Sequence, residues 1–323
     1  MEGCEMKGKE SDAGEKGDDS LLVRLEKSNA LLILLALLFV VFILTKNPVI
    51  GIIAGVTFIL IFVVDIASGA KEHGWKEEIK GIAVAAGIAI AFWILLIVVT
   101  ESTTPISGIV SCSMLPRFDR GDMVVLRGVK NFSEINAPTF EMTRDEFDEF
   151  LQISSVYAQA YITSKGKNLL CGSAGKIDYI CSTALCQRLA RNGTRIENTD
   201  ENMCVVALGR DGIIYYENYS NDVIVYAPRP FGYVSSISGV DIIHRVLAKI
   251  KVGDSYYFIT KGDNNQVPDL YWLNIVSEQD VKGKVILKIP FFGYFKLFIT
   301  PEFYSDLGAA PKGCEMTYER AKQ

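Results

Sequence analysis

Hydropathy divides the chain near residue 100. Before it come three apolar stretches, Ala30 to Leu44, Pro48 to Val64 and Gly81 to Val99. The third is nineteen residues without a charge, enough to cross a hydrocarbon core of about 30 Å. The second is slightly shorter and interrupted only by Thr57. The first measures about 22 Å as a helix, a short span if Lys27 and Lys46 snorkel at its ends. The pattern predicts three transmembrane helices at about 30–45, 48–66 and 81–99, preceded by an acidic leader, residues 1–29. A single cleaved signal sequence does not fit three segments behind an acidic leader.

Beyond residue 100 the apolar runs shorten and fill with β-branched and aromatic residues. Strands are expected at Met123–Val129, Val205–Leu208, Ile213–Glu217, Val223–Tyr226, Ile242–Val252, Tyr256–Thr260 and Val285–Ile289. Arg210-Asp211-Gly212 suits a hairpin turn. One helix is expected near 143–157, where Thr143 and Glu146 form a capping box and Phe147, Phe150, Leu151 and Tyr157 recur at helical spacing. Residues 1–20 and the tail after Pro301 read as disordered. The aromatic stretch Phe291, Phe292, Tyr294, Phe295, Leu297 and Phe298 suits a membrane-contacting edge. The domain organisation that follows is a β core of 101–130 and 221–300, an inserted α+β subdomain of 131–220 and a tail of 301–323.

Charge sets the expected orientation. Arg24 and Lys27 precede the first span, and Lys71, Lys76 and Lys80 lie between the second and third, whereas only Lys46 lies between the first two. By the positive-inside rule the N-terminus and the second loop, with His73, are cytoplasmic and everything after Thr100 is outside. The chain carries 323 residues with a net charge of −5, and a pI near 5.3 excludes a broad nucleic-acid surface. Six of the seven cysteines, Cys112, Cys171, Cys181, Cys186, Cys204 and Cys314, fall outside, where one or two disulfides are the expectation rather than zinc. Asn131, Asn192 and Asn218 begin glycosylation acceptor tripeptides.

Only two histidines exist in the chain, and only His244 falls in the outer domain. Ser111 and Ser113 lie on a proline-stiffened turn just past the third span, His244 sits in the strand Ile242-Ile243-His244-Arg245-Val246, and Asp263 and Asp269 follow in Lys261-Gly262-Asp263-Asn264-Asn265 and beyond. A serine, one histidine and an aspartate in one β-rich domain are what Ser-His-Asp hydrolysis requires. Arg245 and Lys261 are expected to pair with carboxylates or stay solvated, and Asp122 to fix a turn.

In order along the chain, Ser111-Cys112-Ser113-Met114-Leu115-Pro116, Arg120-Gly121-Asp122, Asn221-Asp222-Val223-Ile224-Val225-Tyr226, Ile243-His244-Arg245-Val246, Lys261-Gly262-Asp263-Asn264-Asn265 and Gly283-Lys284 through Tyr294 resemble the boxes of the type I signal peptidases. The histidine, where bacterial relatives carry lysine, is similar to the archaeal and endoplasmic-reticulum form, peptidase family S26B. The resemblance implies a membrane-anchored, mainly β extracytoplasmic catalytic domain of signal-peptidase type. It implies a serine endopeptidase with Ser113 as nucleophile, His244 as general base and Asp263 or Asp269 orienting the imidazole, Asp269 preferred. It also implies an oxyanion hole of the Ser113 amide helped by the Ser111 hydroxyl, small residues before the cut, and no metal or cofactor. The implied partners are preproteins with signal peptides, the lipid bilayer and the protein translocation channel, with no nucleic acid. The implied location is a cell membrane crossed several times, that of the endoplasmic reticulum in a eukaryote. Three spans, the inserted subdomain and the lack of a C-terminal span depart from the pattern, and leave two alternatives: a peptidase dedicated to one or a few surface proteins, or a catalytically silent secretion adaptor. An intramembrane aspartyl protease does not fit, since the spans offer only Asp65.

Overall fold

The computed structural model describes residues 29–45, 48–152, 180–190, 202–210, 213–229, 241–271, 273–294 and 316–320. The chain forms two compact units, residues 1–86 and 87–323. Helix α1 (Ala30–Thr45) packs on α2 (Pro48–His73) in the first unit, and α3 (Trp75–Thr100) continues from it into the second. The α2 and α3 segments are long and apolar enough to cross a membrane, whereas the apolar part of α1, Ala30–Phe42, is shorter. Ile59 and Phe62 on α2 and Ile88 and Val98 on α3 are more than half exposed. A helix apolar on every side suits lipid better than water.

The expected loop between the second and third apolar stretches is not a loop. Both helices run on into their charged ends and are separated by Gly74 alone. Its φ of +85° is a backbone state that glycine adopts freely. Its N–H donates to the Ala70 carbonyl at 3.0 Å, closing the last turn of α2.

In the second unit, an eight-stranded sheet has the order β1 (Ile106–Gly108), β2 (Met123–Arg127), β11 (Val281–Ile289), β7 (Val223–Tyr226), β8 (Ile242–Val252), β9 (Ser255–Lys261) and β10 (Val276–Ser277). Neighbours along this path are antiparallel, while the short β3 (Thr139–Glu141) pairs parallel to β8. The apolar runs at 223–226 and 242–252 become the two central strands, buried on both faces. Val223 and Val225 pack with Met114, Val124 and Leu126 on one side. Ile224 and Tyr226 pack with Val246 and Phe258 on the other. Polar side chains on β8 are therefore buried and must find partners within the protein.

The segment expected as a separate insertion, 131–220, is joined to this sheet from its start. β3 lies beside β8, and Phe140, Phe147 and Phe150 share a core with Ile250 and Ile259. A helix, α4 (144–152), starts where its capping box is expected: Thr143 N–H donates to Glu146 Oε2 at 2.7 Å and Glu146 N–H to Thr143 Oγ1 at 3.3 Å. The expected remainder of that helix, with Tyr157, lies outside the described residues.

A second sheet has the order β12 (Met316–Arg320), β4 (Ile180–Ala190), β5 (Asn202–Arg210) and β6 (Ile213–Tyr216). β5 and β6 pair across the expected hairpin, whose Asp211 and Gly212 are outside the described residues. β12 corrects the reading of the tail as disordered, because Met316–Arg320 pairs with β4. The aromatic stretch at 291–298 divides within its described part. Tyr294 is buried, whereas Phe291 and Phe292 are each more than half exposed.

Candidate active site

The central strand β8 carries His244 and Arg245 at consecutive positions, and strand geometry sends them to opposite faces. Registry extends each face across the sheet. His244 pairs with Ile224 and Val246 with Thr260, so Tyr226, Thr260 and His244 share a face; Arg245 pairs with Val223 and Lys261 on the other.

On the first face, His244 Nε2 lies 2.8 Å from Ser113 Oγ and Nδ1 lies 2.6 Å from Asp269 Oδ2. The His244 and Asp269 side chains are 8% and 3% exposed, so the pair is shielded from water while the serine remains partly open. Asp269 opens a short 3₁₀ turn, Asp269–Tyr271, after β9. Its Oδ2 also accepts from the Tyr226 hydroxyl at 2.8 Å and from Thr260 Oγ1 at 2.7 Å. Burial, reinforced by the Asp269 charge, pushes the Tyr226 phenol well above its ordinary pKa, so it remains a proton donor.

Asp263 lies on the other face. It accepts from Arg245 Nε and a terminal guanidinium nitrogen, both at 2.7 Å, with each side chain 3% exposed. Arg245 also donates to the carbonyls of Tyr219 and Asn221. Lys261 pairs with Glu217. The two cations meet carboxylates, and the two aspartates of the last motif are divided between faces.

Ser111 Oγ lies 3.0 Å from Ser113 Oγ. Asp122 is buried and holds a turn, accepting from the Asp119 N–H at 2.9 Å. Cys112, between the two serines, is disulfide-bonded; the side chains of the other outer cysteines lie outside the described residues. The 262–265 turn clamps the serine loop. Asn264 N–H donates to the Ser113 carbonyl at 2.7 Å and its side-chain amide to the Cys112 carbonyl at 3.0 Å. Gly262 sits so close that a Cβ would come within 2.6 Å of the Ser113 carbonyl oxygen. Gly262→Ala is therefore expected to displace the serine and lower kcat by about 10²-fold while Tm changes less. Turnover and thermal melting measured side by side check this.

Tyr226, Thr260 and Asn264 were not singled out for any role by the sequence. Strand parity was the available signal for the first two, since both fall on the histidine's face once the registers are known. Nothing in the local sequence marks Asn264 as a clamp on a loop 152 residues away.

A hydroxyl bonded to an imidazole, itself bonded to a buried carboxylate, is an arrangement suited to nucleophilic acyl transfer. No protein-family model and no solved structure matches the chain. Among curated proteins it is similar to the signal peptidase complex catalytic subunit of Candida albicans, 25% identical over 174 residues, covering 51% of this chain and 90% of that protein. The subunit of the same name from Scheffersomyces stipitis is 26% identical over 184 residues, 54% of this chain and 95% of that protein. That from Metarhizium robertsii is 32% identical over 93 residues, 27% and 49% of the two chains. The chain is thus similar, at modest identity and over about half its length, to catalytic subunits of signal peptidase complexes.

Proposed function

We propose that this chain is a membrane-bound serine endopeptidase that removes signal peptides from exported preproteins, cutting after small residues. The observation that carries the reading is the continuous relay from Ser113 Oγ through His244 to Asp269, with contacts of 2.8 and 2.6 Å. The names of the similar proteins, and two apolar helices ahead of a mainly β domain, support the substrate class and the membrane.

In this mechanism His244 Nε2 takes the proton of Ser113 Oγ as that oxygen attacks the scissile carbonyl. Asp269 holds Nδ1 as the protonated nitrogen and stabilises the imidazolium that forms. The Ser113 amide and the Ser111 hydroxyl donate to the developing oxyanion. The imidazolium then protonates the leaving amine, and the mature protein departs with that new N-terminus. Water, deprotonated by His244, next attacks the acyl-serine ester; the imidazolium returns that proton to the departing Ser113 Oγ, which frees the signal peptide and restores the site. Asp122 and Asp263 support the scaffold and exchange no proton. The spans would hold the catalytic unit at the outer face of the bilayer, where signal peptides emerge from the translocation channel.

The test is cleavage of a panel of preproteins by the purified full-length chain in detergent, with Ser113→Ala as control. Processing at sites preceded by small residues, lost in the variant, is the expected result. Cleavage of one panel member alone favours a dedicated peptidase, and no cleavage of any overturns the reading. In sealed right-side-out vesicles a tag placed after Lys312 is expected to be accessible; its protection would place the catalytic unit in the cytoplasm.

A further inference from the structure

We propose that Tyr226 and Thr260 are positioning residues of this site: their hydroxyls converge on the one Asp269 oxygen that faces His244 and hold that carboxylate in line with the imidazole. The inference rests on the Ser113–His244–Asp269 reading given above.

The distribution of donors carries the argument. Asp269 Oδ2 lies 2.8 Å from the Tyr226 hydroxyl, 2.7 Å from Thr260 Oγ1 and 2.6 Å from His244 Nδ1. Its other oxygen, Oδ1, is buried with no hydrogen-bond partner among the described residues. A carboxylate held only for stability gains most by sharing donors between both oxygens, because a buried acceptor left without one is destabilising. Here every donor among the described residues falls on the oxygen that meets the imidazole, which fixes the carboxylate's rotation about its terminal bond. Thr260 Oγ1 also lies 3.1 Å from the Tyr226 hydroxyl, yet its single proton is drawn to the anion, the stronger acceptor. Tyr226 is 0%, Thr260 1% and Asp269 2% exposed, so water does not compete for these bonds. The three residues come from β7, β9 and the turn after β9, so the alignment of the acid is built into the sheet itself.

Tyr226→Phe keeps the ring and Thr260→Val keeps the volume, each removing only a hydroxyl. In the full-length chain in detergent, each is expected to lower kcat about tenfold to a hundredfold with KM unchanged. The double variant should lose less than the product of the two, since both act on one oxygen. Thr260→Ser should recover most of the activity, and Tyr226→Phe should add little in an Asp269→Asn background. A second readout does not depend on turnover. With ¹⁵N-labelled histidine, the Nδ1–H proton resonance of His244 is read against the only other histidine, His73. It is expected to move in Tyr226→Phe and in Thr260→Val. Wild-type kcat with an unmoved resonance in both variants overturns the proposal. A lowered Tm and kcat with an unmoved resonance also overturns it, assigning the hydroxyls to stability alone. If the wild-type chain cleaves no preprotein while the resonance moves, the alignment stands and the peptidase reading falls. Should Tyr226→Phe fail to fold, Thr260→Val supplies both readouts.

Discussion

Ser113→Ala and His244→Ala are each expected to reduce kcat for preprotein cleavage by about 10⁴- to 10⁶-fold, and the double variant by no more than either alone. The two side chains act as one unit through their 2.8 Å contact, so removing either leaves the other without a task. Counting makes the assignment sharp, because the only other histidine, His73, ends α2 in the first unit. His244→Lys distinguishes this site from one built for a lysine base. A lysine serves as a base near neutral pH only where an apolar setting destabilises its charged form. At this position a lysine would face the buried Asp269 carboxylate, which stabilises the charge and keeps the proton in place. Lysine is expected not to restore turnover. Single-turnover cleavage with the wild type and the four variants at equal concentration is the measurement, and wild-type rates in Ser113→Ala or His244→Ala would end the mechanism.

The second large effect separates two aspartates six residues apart. Asp269→Asn is expected to cost about 10⁴ in kcat with little change in Tm. Its amide is the same size, but a single atom must now meet Tyr226, Thr260 and His244 Nδ1 together. With the amide oxygen there, the three bonds survive without the charge that stabilises the imidazolium; with the N–H₂ there, Nδ1 must accept and the proton is forced onto Nε2, where it faces Ser113 and cannot accept. Asp263→Ala is expected to act through stability. It strips Arg245 of its carboxylate in a pocket where both side chains are 3% exposed, and an unpaired buried charge costs about 3–5 kcal/mol. Thermal unfolding with kcat measured on the folded fraction divides the two. A large Tm loss in Asp269→Asn with normal turnover, or the reverse pattern in Asp263→Ala, would exchange their roles.

Much of this architecture is legible along the chain because burial leaves a mark on composition. β7 and β8 stand out as runs rich in β-branched residues since both faces of a central strand are buried. The α4 start is readable from Thr143 and Glu146 because a capping box is satisfied within four residues. The histidine was nameable because it is a rare residue type, one of two in the chain, and the serine because of its distinctive local setting. β3 and β12 were not legible. Three residues with one apolar side chain, Thr139–Glu141, have no period to detect, and Met316–Arg320 is a strand only because β4 pairs with it. The break at Gly74 falls within the interval expected between the second and third spans, but the helical ends on either side of it were not legible, since charge marks where an apolar stretch ends and not where a helix does.

Which aspartate meets the imidazole could be preferred from the sequence but not decided by it. Asp263 and Asp269 lie on a turn whose path, unlike a strand's, does not alternate regularly between faces. Strand parity puts His244 and Arg245 on opposite sides of β8, and only the folded turn delivers Asp263 to the arginine and Asp269 to the histidine. The same holds for Tyr226 and Thr260, which reach Asp269 from strands on either side of β8. Residue types and local pattern determined that a serine, a histidine and an acid were present in a β domain. Sheet registry and turn geometry, which depend on contacts between residues far apart in the chain, decided which groups are within bonding distance.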